Sequence, residues 1–99
     1  MKTKNEALGA ELIRFDIDLL IAIRSYDGVP MGVEIKENIE ERSGREVNNG
    51  RLYPRLDKLA RDGYVDKSER NGRTNSYALT DKGVSFLRSR RGELNLRGI

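Results

Sequence analysis

Leu12, Phe15, Leu19, Ala22, Ile23 and Tyr26 recur at the 3.6-residue period of one helical face. Ile13, Ile17 and Leu20 form a second stripe, about 130° round the same helix. The pattern predicts a first helix from about Leu8 to Tyr26 with two apolar faces. A surface helix needs one such face, so both are expected to be covered, inside the domain or by a partner. "DGVPMG" then breaks the helix with Gly and Pro. Val33, Ile35 and Ile39, with Glu34, Glu37, Glu40 and Glu41 on the wet side, predict a second helix over about Gly32 to Arg42. Ser43-Gly44 stops it, Gly44 being suited to a left-handed cap. A third helix follows from about Asn48 to Asp62, with Asn48 able to cap its free N–H groups and Gly63 ending it. Strand-like "YVDKSE" and "NSYALT" flank Asn71-Gly72, the signature of a hairpin with a type I′ turn. A last helix starts at Thr80-Asp81, with Val84 and Leu87 on one face and a stop expected at Gly92.

The order is α-α-α-β-β-α, mainly helical with one β-hairpin, an α+β chain. Two short helices joined by a tight turn and followed by a hairpin describe a winged helix-turn-helix. Residues 1–99 make one domain, with 1–7 and 93–99 expected to be flexible tails. In such a domain the second helix of the pair lies in the DNA major groove and the hairpin, or wing, reaches the neighbouring backbone or minor groove.

The third helix carries a defect. "GRLYPRLDKLARDGYV" places Leu52, Leu56 and Leu59 within about 40° of one another, a buried face. Pro54 falls at roughly 200°, on the outer face, and removes one backbone hydrogen bond, that to Gly50. Gly50 and Pro54 together thin the helix where a groove wall can approach; the plainer reading is a tolerated kink. Around them stand side chains that suit nucleic acid. Arg51 can bond guanine O6 and N7 as a fork or grip phosphate. Asn49 can pair with adenine, and so can Asn48, although a cap is its better use. Tyr53 either bonds a phosphate or packs against the wing. Arg55 either contacts DNA or pairs with a nearby acid, and Lys58 lies one turn further on. Arg70, Asn71, Arg73 and Thr74 make the wing tip, where a narrow minor groove attracts Arg. Arg45, ahead of the third helix, is placed for phosphate. "RSRR", Arg88 to Arg91, suits a helix C-terminus without any DNA.

Charge sharpens this picture. Residues 1–41 hold 5 basic and 9 acidic side chains, whereas residues 42–91 hold 13 basic and 6 acidic ones. The second part can therefore attract a polyanion, against an overall net charge of only +3. The sequence contains no Cys and no His, which removes disulfides, thiolate sites, the commonest general base and the commonest metal ligand. Asp16 and Asp18, two apart on a helix, do not face each other and are expected to be solvated. No catalytic or metal-ligating set emerges, so the chain is not expected to be an enzyme or to need a cofactor. The longest apolar run, Leu19 to Ile23, is too short for a membrane span, and the N-terminus lacks a signal-peptide core. A cytoplasmic protein without a membrane partner is expected. No residue pattern identifies a small-molecule effector.

Leu52, Tyr53, Pro54, Leu56, Leu59, Gly63, Tyr64 and Val65, followed by Tyr77, Leu79, Thr80 and Gly83, form a set that resembles the PadR-like group of winged-helix transcriptional regulators. The likeness covers about residues 32 to 84. The small residues usual before Leu-Tyr-Pro are "NNGR" here, and the C-terminal helix is short. The resemblance implies a homodimeric, sequence-specific repressor on double-stranded DNA with a two-fold operator. The dimer contact is expected to use Ile13, Ile17, Leu20 and Leu87. The alternatives are a winged helix that contacts protein in a transcription or replication assembly, and a replication or copy-control DNA binder.

Overall fold

A computed structural model describes residues 12–70, 72 and 74–98, and among these it is built round the first helix, α1 (Arg14–Ser25). The start of α1 is fixed by Asp16, whose Oδ2 accepts the N–H of Ile13 at 3.0 Å. Ile13 stays extended ahead of the helix, at φ −94° and ψ 170°. The helix therefore begins at Arg14, not near residue 8; Leu8 to Glu11 and the tail 1–7 lie outside the described residues. Phe15, Leu19, Ala22 and Ile23 are buried, as the first stripe predicts.

The second stripe behaves differently from expectation. Leu20 has no exposed surface and Leu87 is buried with it in the same core, because the last helix folds back beside α1. Their apolar area is largely removed from water by this chain itself. Ile17 is half-buried, and Ile13 stays 44% exposed.

α2 (Gly32–Ser43) ends at Gly44, which caps it at φ +73°. α3 (Asn49–Arg61) follows, and Gly63, at φ +85°, turns the chain into β1 (Val65–Arg70). β2 (Thr74–Leu79) pairs antiparallel with β1, from Val65 opposite Leu79 to Arg70 opposite Thr74. That register leaves three residues between the strands, with Gly72 left-handed at φ +70°. The hairpin thus has a three-residue loop in place of the two-residue type I′ turn that Asn71-Gly72 suggests. The root of the wing is anchored elsewhere: the N–H of Tyr77 donates to the carbonyl of Pro30 at 2.9 Å, and Met31 forms a β-bridge with Ser76.

α4 (Asp81–Gly98) starts where Thr80 Oγ1 accepts the N–H of Gly83 at 3.1 Å. It does not stop at Gly92. An interior Gly costs only about 1 kcal/mol relative to Ala, and the good helix formers Glu93, Leu94 and Leu96 follow it. Residues 93–98 are therefore helical, and Ile99 lies outside the described residues. The architecture is the predicted α-α-α-β-β-α winged helix-turn-helix, with one core formed by α1, the inner faces of α2 and α3, the wing root and Leu87.

Candidate nucleic-acid interface

The inner face of α3 is set by Leu52, Leu56 and Leu59, all buried. Its first turn is capped by Asn48, whose Oδ1 accepts the N–H of Gly50 at 2.6 Å. The Asn48 carbonyl accepts from Arg51 at 3.0 Å and Leu52 at 2.9 Å. Asn48 is thus committed to the cap. Gly50 and Pro54 are exposed on the opposite face, and the helix continues without a break through Pro54. Arg61, further along this face, is also exposed. The same angular count that places Pro54 outward puts Arg61 on that side too, about 180° from Leu52.

The basic residues of α3 divide into free and engaged. Arg51 is exposed, with its guanidinium 4.1 Å from the centre of the Phe15 ring. This cation–π contact holds the side chain along the α1 side of the helix rather than straight out beside Gly50. Arg55 is engaged. Its Nε and Nη2 donate to Asp16 Oδ1 at 2.8 Å and Oδ2 at 2.5 Å, and the hydrogen bond raises the guanidinium pKa above its ordinary value. Asp16 is wholly buried, not solvated as its position beside Asp18 suggests. A buried carboxylate needs partners, and it takes Arg55 and the Ile13 N–H. Arg55 is accordingly a strut between α1 and α3. Lys58 pairs with Asp62 at 2.7 Å.

On the wing side, Tyr53 is 38% exposed and lies against Gly32 at the start of α2. A Cβ at residue 32 would fall 2.5 Å from the ring, so only glycine admits this packing. Tyr53, Gly32, Val33, Thr74 and Asn75 line a notch of about 290 Å³ between the helix pair and β2. Lys67 of β1 donates to Asp57 of α3 at 2.8 Å and ties wing to helix. Thr74 is exposed at the start of β2. Arg70 pairs with Thr74 in the ladder; Asn71 and Arg73 lie outside the described residues.

Across the helix-turn-helix, Lys36 of α2 donates to Asn49 Oδ1 at 3.1 Å. No periodicity in the sequence points to Lys36, because the contact depends on how α2 and α3 cross. Arg45 is exposed in the turn and shares a cleft with Arg14 and Arg51, in which Asp18 and Glu46 also stand. Among the described residues, no cluster of acidic side chains could hold a metal ion and no helix is long and apolar enough to cross a membrane.

Comparison with known proteins agrees with this arrangement. No curated protein matches the chain. A solved RosR complex, hsRosR-S1, shares 37% identity over 90% of this chain and 78% of its own, at a TM-score of 0.83. RosR from H. salinarum grown from NaBr shares 40% identity over 86% of this chain and 76% of its own, at a TM-score of 0.76. Bacillus subtilis PadR in complex with operator DNA shares 23% identity over 80% of this chain and 46% of its own, at a TM-score of 0.62, a likeness of fold. The transcriptional regulator PadR-like family matches residues 23–89. With its helix pair and wing inside that span, the chain belongs to the PadR-like family of transcriptional regulators.

Proposed function

We propose that this regulator is a homodimeric repressor that binds a two-fold site on double-stranded DNA, with α3 in the major groove, and acts by occupying a promoter in the cytoplasm. The observation that carries this reading is the outer face of α3. It is open at Gly50 and Pro54, and it is flanked by Arg51 and Arg61, with the wing alongside. The fold shared with a PadR solved on operator DNA supports the same docking. In this reading Arg51 leaves the Phe15 ring to meet a base edge, Arg45 and Tyr53 hold phosphate, and Arg70 and Arg73 reach the backbone or minor groove beside the wing. The dimer forms through α1 and α4, where Ile13 is exposed just ahead of α1 and where Ile17, Ile21 and Leu87 line a groove with Arg14, Asp18, Arg24 and Arg90 around them.

The test is affinity for a selected operator and its single-base variants, measured over a range of salt. Arg51→Ala should relax preference at one base pair per half-site, and Arg51→Lys should keep non-specific binding but give up most discrimination. Changing Arg70 and Arg73 together to Ala should flatten the slope of log affinity against log salt by roughly 0.9 for each phosphate no longer neutralised. Ile17→Asp should give monomers by light scattering. Binding to DNA that is indifferent to salt and to base would favour a protein-contact module instead.

A further inference from the structure

We propose that Lys36 sets the base preference of Asn49, so that the pair reads guanine where a lone asparagine would read adenine; this rests on the placement of α3 in the major groove. A lysine ammonium has donors and no acceptor. Its 3.1 Å contact with Asn49 therefore fixes the amide, with the oxygen toward Lys36 and the NH2 group turned away. Both residues belong to the rim of the interface: Asn49 is the first residue of α3, and Lys36 reaches it from α2.

A lone asparagine recognises adenine because it presents an acceptor and a donor side by side, matching the N6 amino group and N7. With its oxygen held by Lys36, Asn49 offers a donor, and the ammonium beside it offers more donors. Guanine presents two acceptors to the major groove, O6 and N7, and fits that array. Adenine would bring its N6 amino hydrogens against the ammonium. The neighbouring Asn48 does not compete for the role, since its side-chain oxygen caps α3 through Gly50. Specificity at this position thus depends on a residue of the supporting helix as well as on the recognition helix.

The experiment compares wild type, Lys36→Met, Lys36→Arg and Asn49→Ala on operators varied one base pair at a time, with Arg51→Ala as a reference. Lys36→Met keeps most of the side-chain stem and removes the donor. It should turn one position of each half-site from guanine toward adenine, by on the order of tenfold in relative affinity. Lys36→Arg restores donors and should retain guanine. Asn49→Ala should flatten preference at that position alone. A wild-type preference for adenine there, or an unchanged profile in Lys36→Met, overturns the proposal. If Asn49→Ala alters no position while Arg51→Ala does, the pair is not a reader and the groove placement stands. If neither variant alters any position, the groove placement itself fails.

Discussion

Asp16 shows how much a single buried group can organise. It carries the cap of α1 and the two bonds from Arg55, a residue 39 positions away. Removing one partner of a buried ion pair leaves the other charge without compensation. Asp16→Asn should therefore destabilise the fold by about 3 kcal/mol, the low end for such pairs because the Arg55 side chain stays 25% exposed. Urea unfolding of the variant checks this. Asp16→Ala with Arg55→Ala should cost less than the two single changes added together, the mark of a direct coupling. None of this was legible locally. Asp16 and Asp18 look alike along the chain, and only the crossing of α1 and α3 distinguishes the buried one. The same crossing brings Arg55 onto that acid.

At the scale of elements, the apolar spacing was the dependable signal. Leu52, Leu56 and Leu59 define the inner face of α3 from sequence and from structure alike. Ends were less legible where a tertiary or side-chain contact sets them. The start of α1 depends on the Asp16 carboxylate, the length of the wing loop on the strand register, and the end of α4 on residues that tolerate Gly92. The junction of α4 with the wing makes a sharp prediction. Gly83 sits in the first turn of α4 with its α-carbon against the Tyr64 carbonyl, and a Cβ there would clash with that backbone oxygen. Helix propensity alone says that Gly83→Ala should stabilise by about 1 kcal/mol. The clash reverses the sign, so Gly83→Ala should lower the melting temperature. Gly32→Ala should do so less, since the Tyr53 ring can swing aside, but it should weaken DNA binding by moving Tyr53.

For the whole molecule, counting charge along the chain overstates the free basic field. Arg55, Lys58 and Lys67 are each spent on an acid of this chain, whereas Arg51, Arg61 and Arg45 are exposed cations on or beside α3. Stability should also have an alkaline limit. Burial raises the pKa of Tyr77 above its usual 10.0, and burial likewise raises that of Tyr64. The folded state then holds phenol protons that the unfolded chain releases, so the contribution of these two groups is flat below about pH 10 and turns destabilising as pH rises beyond it. Urea midpoints between about pH 8 and about pH 11 should show that decline, and Tyr77→Phe should reduce it. The wing root carries a mechanical consequence. At Ser76 and Tyr77, β2 has a bonded neighbour on both sides, β1 on one and the chain before α2 on the other. The hairpin is a lever clamped at its base. Deuterium uptake along β2 should rise from Tyr77 outward to Thr74, and strain applied at the tip by a bound duplex would be delivered through Pro30 and Met31 to the first turn of α2.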